Sequence, residues 1–397
     1  MGRKKLPPAP AESAPVLPDP PDASRAKALS KVAAKVASWR PARQVLTRVR
    51  AVPTIFPWSD YATRVRGFPT QRLIVVHGPS SEGKTLLALG YGLSFLKQGH
   101  YFLHVDAEYT TPATWLEQSM GEHVDNPLFL ALRPRSYEEV VDAVRDFLKT
   151  LIASKKAKEI PEDASALIVI DSLRKLTPEN FLAKLAKQGS EGKDGAGVDG
   201  MRGMGAAVKA AMNANWFDEL TPLLYHSGAA MLIIARESEN REKGNGQPDW
   251  KLTGGRAVLF EGSLMIRVER DWERVGSYPN QVTIGERHDC YIYKSKVAGK
   301  DDREEIFSFW TSNGKGPAPE GFDVGRDLFE LGVALGAVKQ SGGWFSYGTV
   351  RWQGKERAVK RLTEDLALRA RLDKDVRVRF EKTAVANHDP VTGELPA

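Results

Sequence analysis

The chain has 397 residues, 42% hydrophobic and 27% charged, with one cysteine, Cys290. That length accommodates two or three domains around a core that needs no disulfide or structural zinc, so small stapled scaffolds and redox-thiol chemistry are excluded. No apolar run approaches the ~18 residues of a membrane span, and the expectation is a soluble cytoplasmic protein with no membrane partner.

The formal charge of +7 is unevenly placed. Residues 1–50 carry eleven Lys/Arg against Glu12, Asp19 and Asp22, a net +8 that leaves the rest of the chain at −1. A polyanion would meet this arm first; a solubilising tail is the plain alternative. Residues 1–22 are broken by prolines, lack a secretory apolar stretch, and are expected to be a disordered basic arm. In the following segment, 23–60, Leu29, Val32, Ala33, Val36 and Trp39 recur at helical spacing after Asp22 or Ser24 as N-cap. This short amphipathic helix and its linker are expected either to dock on a neighbouring subunit or to fold onto their own domain.

Across 61–315, short apolar runs alternate with helical stretches: RLIVVHG, TLLALGYGLSFLKQG, YFLHVDAE, YEEVVDAVRDFLKTLIAS, ALIVIDS, GAAVKAAMNANWFDELTPLLYHS and AAMLIIARE. Continuous apolar strands between amphipathic helices predict crossover connections and a mainly parallel sheet covered on both faces, an α/β domain. AVLFEGSLMIRVER, CYIYKSKV and EEIFSFW follow without helices and predict antiparallel or edge strands. SNGKGPAPEG marks a boundary, after which residues 320–382 predict a small α+β module of helix, hairpin and further helices. Residues 383–397 are expected to be a flexible tail.

Gly78-Pro79-Ser80-Ser81-Glu82-Gly83-Lys84-Thr85 fits G-x-x-x-x-G-K-S/T, with a strand pattern before it and a helix pattern after it. The glycines let backbone N–H groups curl around phosphate oxygens at a helix N-terminus. Lys84 then adds a point charge and Thr85 a hydroxyl for Mg²⁺. Asp171 ends the run Ala166–Ile170, and strand carboxyl ends line the ligand crevice of open parallel sheets. Glu108 follows the next strand pattern, Tyr101–Asp106. If that strand neighbours the nucleotide strand, Glu108 can orient a water for in-line attack; a solvated turn carboxylate is the alternative.

The segments GPSSEGKT, FLHVDAEY, LIVIDSLRKLTP, MLIIARE, TGGRAVLFEGSLMIRVER, YKSKVAG and FELGVALGAVKQSGGWFSYG occur in the order in which the bacterial RecA recombinase family, including its phage-borne members, has similar segments. The chain resembles that family over about residues 65–380. The last segment is the most specific, because it resembles a helix and aromatic hairpin of the family's C-terminal domain. The resemblance implies a RecA-like P-loop ATPase core with a mainly parallel twisted sheet, a short N-terminal helix and a small α+β C-terminal domain that binds DNA. It implies ATP and Mg²⁺ as cofactors, held by the loop residues, Thr85 and Asp171, with Glu108 as catalytic glutamate and Trp115 beside the adenine. It further implies that Lys294 and Lys296 reach a neighbouring subunit's ATP; outward-facing lysines on an edge strand are the alternative.

Two DNA-binding loops are implied. The first is residues 187–205, with Arg202 and Lys209 as phosphate contacts. The second runs from Arg236 to Gly255, with Arg241, Lys243 and Trp250 as further contacts and Gly254 and Gly255 closing it. Phe260 matches an interface aromatic by position. The second loop departs from the family, which opens it with Asn-Gln, the Gln sensing the γ-phosphate, whereas this chain has Arg236-Glu237. A carboxylate at Glu237 would repel phosphate unless Arg236 or Mg²⁺ compensates. These departures would suit a phage or plasmid member.

The function implied is an ATPase that forms homo-oligomeric helical filaments on single-stranded DNA and exchanges strands with double-stranded DNA. A hexameric helicase or packaging motor is the alternative from another class, and the C-terminal module argues against it. A non-catalytic annealing protein is the third, against which Lys84, Glu108 and Asp171 stand.

Overall fold

One nine-stranded sheet organises the computed structural model, which describes Lys31 and residues 49–183, 196–240, 249–252, 256–297 and 305–386. The arm and helix expected before residue 49 therefore lie outside the described residues, apart from Lys31. In chain order, β1 (Ala51–Val52) pairs with β2 (Phe68–Pro69) around α1 (Pro57–Ala62). Then come β3 (Leu73–His77), α2 (Lys84–Lys97), β4 (Tyr101–Asp106), α3 (Ala113–Met120), β5 (Phe129–Leu132), α4 (Tyr137–Lys156), β6 (Ala166–Asp171), α5 (Ala196–Ser227) and β7 (Ala230–Ile234). After these follow β8 (Glu237–Asn240), β9 (Asp249–Leu252), α6 (Arg256–Glu261), β10 (Leu264–Val275), β11 (Val282–Ser295), β12 (Glu305–Ser312) and β13 (Gly321–Phe322).

The strand order is β5-β4-β6-β7-β3-β10-β11-β12-β13. Pairing is parallel from β5 to β10 and antiparallel from β10 to β13. Every residue of β3, β6 and β7 is buried, as strands covered on both faces require. On one face Ile74, Val76, Leu167, Val169 and Leu232 pack with Leu87, Tyr91 and Phe95 of α2. On the other, Val75, Ile168 and Ile233 meet α4 and α5. The spacing of Val140, Val144, Leu148 and Leu151 turns one stripe of α4 to that core, and its start is fixed by Ser136, which accepts from the Glu139 N–H at 3.1 Å.

A third core closes the C-terminal module, made of α7 (Val324–Ala334), β14 (Lys339–Ser341), β15 (Trp344–Tyr347), β16 (Val350–Gln353), α8 (Lys355–Glu364) and α9 (Leu366–Ala386). Phe329, Val338, Phe345, Trp352, Leu362 and Leu372 fill it. Buried Arg326 ties the module to the sheet by donating to Glu273 of β10 at 2.6 Å and to Glu356 at 2.9 Å. Among the described residues, no helix is long and apolar enough to cross a membrane.

Three expectations change. The run AVLFEGSLMIRVER is α6 followed by β10, because Gly262-Ser263 interrupts it and a short apolar run has no decisive periodicity. Of the stretch expected as the first DNA loop, residues 196–205 are helical, continuous with the packed part of α5, since extending a formed helix is far easier than nucleating one; residues 187–195 lie outside the described residues. The first residues of the expected tail, 383–386, belong to the last helix, and residues 387–397 lie outside the described residues.

Candidate active site

The phosphate-loop residues 78–85 leave β3 and enter α2 between β7 and the antiparallel strands. Gly78 has φ +145, and a Cβ there would stand 2.4 Å from the Val268 carbonyl oxygen. Gly83, the N-cap of α2, has φ +94, and its Cβ would meet His288 Nδ1 at 2.3 Å. Both positions need glycine for conformation and for space. Lys84 folds across the loop, its ammonium donating to the carbonyls of Gly78 at 3.1 Å and of Pro79. Burial pulls its pKa below the usual lysine range, partly countered by Asp171.

Thr85 Oγ1 donates to Asp171 Oδ2 at 2.6 Å. Burial pushes the Asp171 carboxyl up to about 6, and the nearby Glu108 and Asp106 charges add to that. A hydroxyl and a carboxylate in contact, in a site with excess negative charge, suit Mg²⁺, which takes one or two carboxylates plus substrate phosphates rather than an all-protein cage. Among the described residues no cluster of three or more His, Cys, Asp or Glu forms such a cage.

Glu108 reaches the same place by a route other than the one its sequence position suggested. β4 is not beside β3, since β7 and β6 lie between them. The chain turns at the end of β4, where the N–H groups of Ala107 and Glu108 both donate to the Asp171 carbonyl, at 2.7 and 3.2 Å. Glu108 then accepts from Ser172 Oγ at 2.6 Å and from Arg236 Nη2 at 2.9 and 2.8 Å.

A cavity of about 410 Å³ gathers Lys84, Thr85, Glu108, Asp171, Arg236 and Trp115 on its walls. A smaller one of about 160 Å³ adjoins it, sharing Leu86, Trp115 and Glu286 and running to Phe322. Trp115, half-buried on α3, lines both cavities.

Arg270 and Glu286 also line the larger cavity, and neither was marked by the sequence. Arg270 donates its backbone N–H to Glu82 at 2.5 Å and its guanidinium to Glu286 at 3.0 Å. His288, fully buried and stacked on Phe309 at 4.5 Å, contacts the Glu82 carbonyl at 3.0 Å beneath the loop. The pairing of β10 with β11 places these residues, and no local motif encodes it.

Glu237 does not confront the phosphate site. Its carboxylate is 2.5 Å from His77 Nδ1 and 2.9 Å from Arg267 Nε, with the side chain 1% exposed. Burial raises the cost of its charge, but these hydrogen bonds outweigh it and hold the carboxyl below its ordinary range. The repulsion expected at this position is thereby removed.

Lys294 and Lys296 lie away from the chain's own phosphate loop. Lys294 donates to the carbonyl of Leu259 and, at 3.4 Å, to that of Phe260, and Lys296 to Phe260 at 2.8 Å. They thus gather at the C-terminal end of α6, where carbonyls favour cations. β11 is an interior strand between β10 and β12, and Phe260 beside the lysines is 66% exposed.

Lys209 donates to the Arg174 carbonyl at 3.3 Å. The second loop begins as a hairpin, β8 pairing with β9. The backbone of Arg202 and Trp250 is described but their side chains are not, and Arg241, Lys243, Gly254 and Gly255 lie outside the described residues.

A family model described as the RecA N-terminal domain matches residues 27–311, and one described as the RecA C-terminal domain matches residues 326–381. Over 320 residues the chain is 30% identical to the Protein RecA of Chlorobaculum tepidum, covering 80% of each chain. It is 27% identical to the Protein RecA of Thermus thermophilus over 364 residues, 91% of this chain and 94% of the relative. The phosphate loop, the strand-end carboxylates and the C-terminal module with its own core thus sit in a chain that belongs to the RecA family.

Proposed function

We propose that the chain is a DNA-dependent ATPase that assembles on single-stranded DNA and pairs it with a homologous duplex for strand exchange. One observation carries the ATPase part: Lys84, Thr85, Asp171 and Glu108, drawn from three separate segments, converge on one cavity at the carboxyl ends of parallel strands. Membership of the RecA family supports the recombination part.

In this reading the loop N–H groups and Lys84 hold the phosphates of ATP, and Thr85 and Asp171 hold Mg²⁺, which neutralises phosphate charge when bound. Glu108 orients the attacking water. Trp115 supports the adenine. Lys294 and Lys296 act on the ATP of an adjacent subunit, so hydrolysis depends on assembly, as it does wherever a cationic side chain is supplied in trans. The exposed Phe260 beside them belongs to the same subunit contact. The two loops and the basic α8–α9 surface face DNA.

Electron microscopy of the full chain with single-stranded DNA and a non-hydrolysable ATP analogue tests the reading, together with a strand-exchange assay. Helical filaments and joint molecules are expected. Closed rings, or filaments that never pair homologous DNA, would contradict it.

A further inference from the structure

Glu108 stands on a turn, and a second carboxylate holds that turn together. β4 stays in register with β6 to its last residue, Asp106, which lies opposite Asp171. The next two N–H groups, of Ala107 and Glu108, are taken by the Asp171 carbonyl. Tyr109 then adopts φ +57, a left-handed conformation that a side chain of this size keeps only where its surroundings enforce it. Asp106 supplies the enforcement. Its side chain is 6% exposed, and its carboxylate accepts from the N–H groups of Thr110 and Thr111, both at 3.3 Å, and from Arg133 Nε at 3.1 Å. Arg133 directly follows β5 and donates through Nη2 to the Thr111 carbonyl at 2.8 Å. The Tyr109 hydroxyl donates to the Pro134 carbonyl, which ties the same turn to the same end of β5.

Hydrogen bonds to an ionised acceptor are the stronger kind, and a buried carboxylate stripped of its donors is costly, so these contacts stiffen the turn. Among the described residues that line the 410 Å³ cavity, Glu108 is one and Asp106 is not. Any effect of Asp106 on chemistry therefore passes through its neighbour. Ser172 and Arg236 hold the carboxylate end of Glu108, whereas the turn sets where its backbone stands. We propose that Asp106 is a positioning residue for Glu108. With Arg133 it fixes the turn 107–111, and through the turn the reach of the Glu108 carboxylate toward the attacking water. In-line attack tolerates little displacement, since an error of about 1 Å can cost about 100-fold in rate. This inference rests on reading Glu108 as the residue that orients water in an ATP site.

The test is a double-mutant cycle in the ATPase activity of the full-length protein, with single-stranded DNA and saturating Mg²⁺. Asp106→Asn keeps the size of the side chain but sets an amide donor among donors. Its kcat should fall about 10- to 100-fold while KM for ATP stays within about twofold, because the cavity wall is unchanged. Added to Glu108→Gln, the same substitution should cost less than about threefold more, since the charge it would misplace is already gone. Arg133→Gln should lose less on its own, about three- to tenfold, because that side chain is 55% exposed and Asp106 keeps its two N–H donors. Arg133→Lys should recover part of that loss. ADP titration reports the fold of each variant; if Asp106→Asn fails it, Arg133→Gln decides, its loss likewise vanishing in the Glu108→Gln background. Wild-type turnover in Asp106→Asn, a KM that rises in step with the fall in kcat, or losses that multiply in the double variant overturn the inference and leave Glu108 in its role. Wild-type turnover in Glu108→Gln removes that role and this inference with it.

Discussion

The parallel and antiparallel halves of the sheet build one cavity by different routes. β3, β6 and β7 contribute from their carboxyl ends, so Lys84, Asp171 and Arg236 arrive where the strands stop. β10 and β11 run past the loop and contribute from mid-strand, where register sets Arg270 opposite His288 and Trp272 opposite Glu286. Strand ends can be read from a motif, whereas register is a property of two distant segments together. The parallel half therefore carries the recognisable chemistry, and the antiparallel half fixes the loop and presents Lys294 and Lys296 away from it.

Substitutions that separate the halves sharpen this contrast. Glu108→Gln should have the largest effect: turnover falls by about 10²–10⁴ while nucleotide binding is retained, since the amide keeps the shape and loses the charge that directs water. Wild-type turnover in a steady-state assay would remove Glu108 from that role. Lys84→Ala should weaken ATP and ADP binding about 100-fold in titration, because it deletes the buried ammonium that spans the loop. Affinity within threefold of wild type would mean that the loop alone suffices.

Within the parallel half, acid stability tests the packing of β4. His104 is 2% exposed, stacks near Phe102, and has an Nε2 with no hydrogen-bond partner among the described residues. Burial lowers its pKa to about 4, Asp106 opposing and Arg133 adding to that. Between that value and the ordinary 6.5 the unfolded chain binds more protons, so stability is full above about 6.5 and declines as pH falls toward 4. The loss attributable to this group is at most about 3 kcal/mol. His104→Leu should flatten urea-derived stability across that range, and an unchanged pH slope would show that other groups carry it.

The smallest effect concerns the support given by the antiparallel half. Gly83→Ala should cost about 1–3 kcal/mol of loop strain at φ +94 and weaken nucleotide binding about tenfold. Adding His288→Ala removes the contact but not the strain, so the double variant should recover only part of the loss. Full recovery would mean that space alone, and not conformation, demands glycine there.

How much was legible follows the same division. The strand–loop–helix at residues 73–97, the strand ending at Asp171 and the aromatic hairpin of the C-terminal module are local patterns, and the structure places each as an element of the expected kind. The neighbour of β4 was not legible, because strand order depends on crossovers and not on sequence adjacency. The environment of Glu237 was hidden for a related reason: its partners, His77 and Arg267, come from two other strands. α6 and the first turns of α5 were missed where Gly-rich or short apolar stretches leave local preference undecided.

In the proposed assembly, one chain's strand-end residues and its neighbour's Lys294 and Lys296 make up a working site together. The direct measurement mixes a Lys294→Ala/Lys296→Ala chain with a Lys84→Ala chain on single-stranded DNA and follows phosphate release. Each chain alone should be inactive. The mixture should regain activity, because an intact phosphate loop from the first meets intact lysines from the second. A mixture no more active than its separate components would contradict a site shared between subunits.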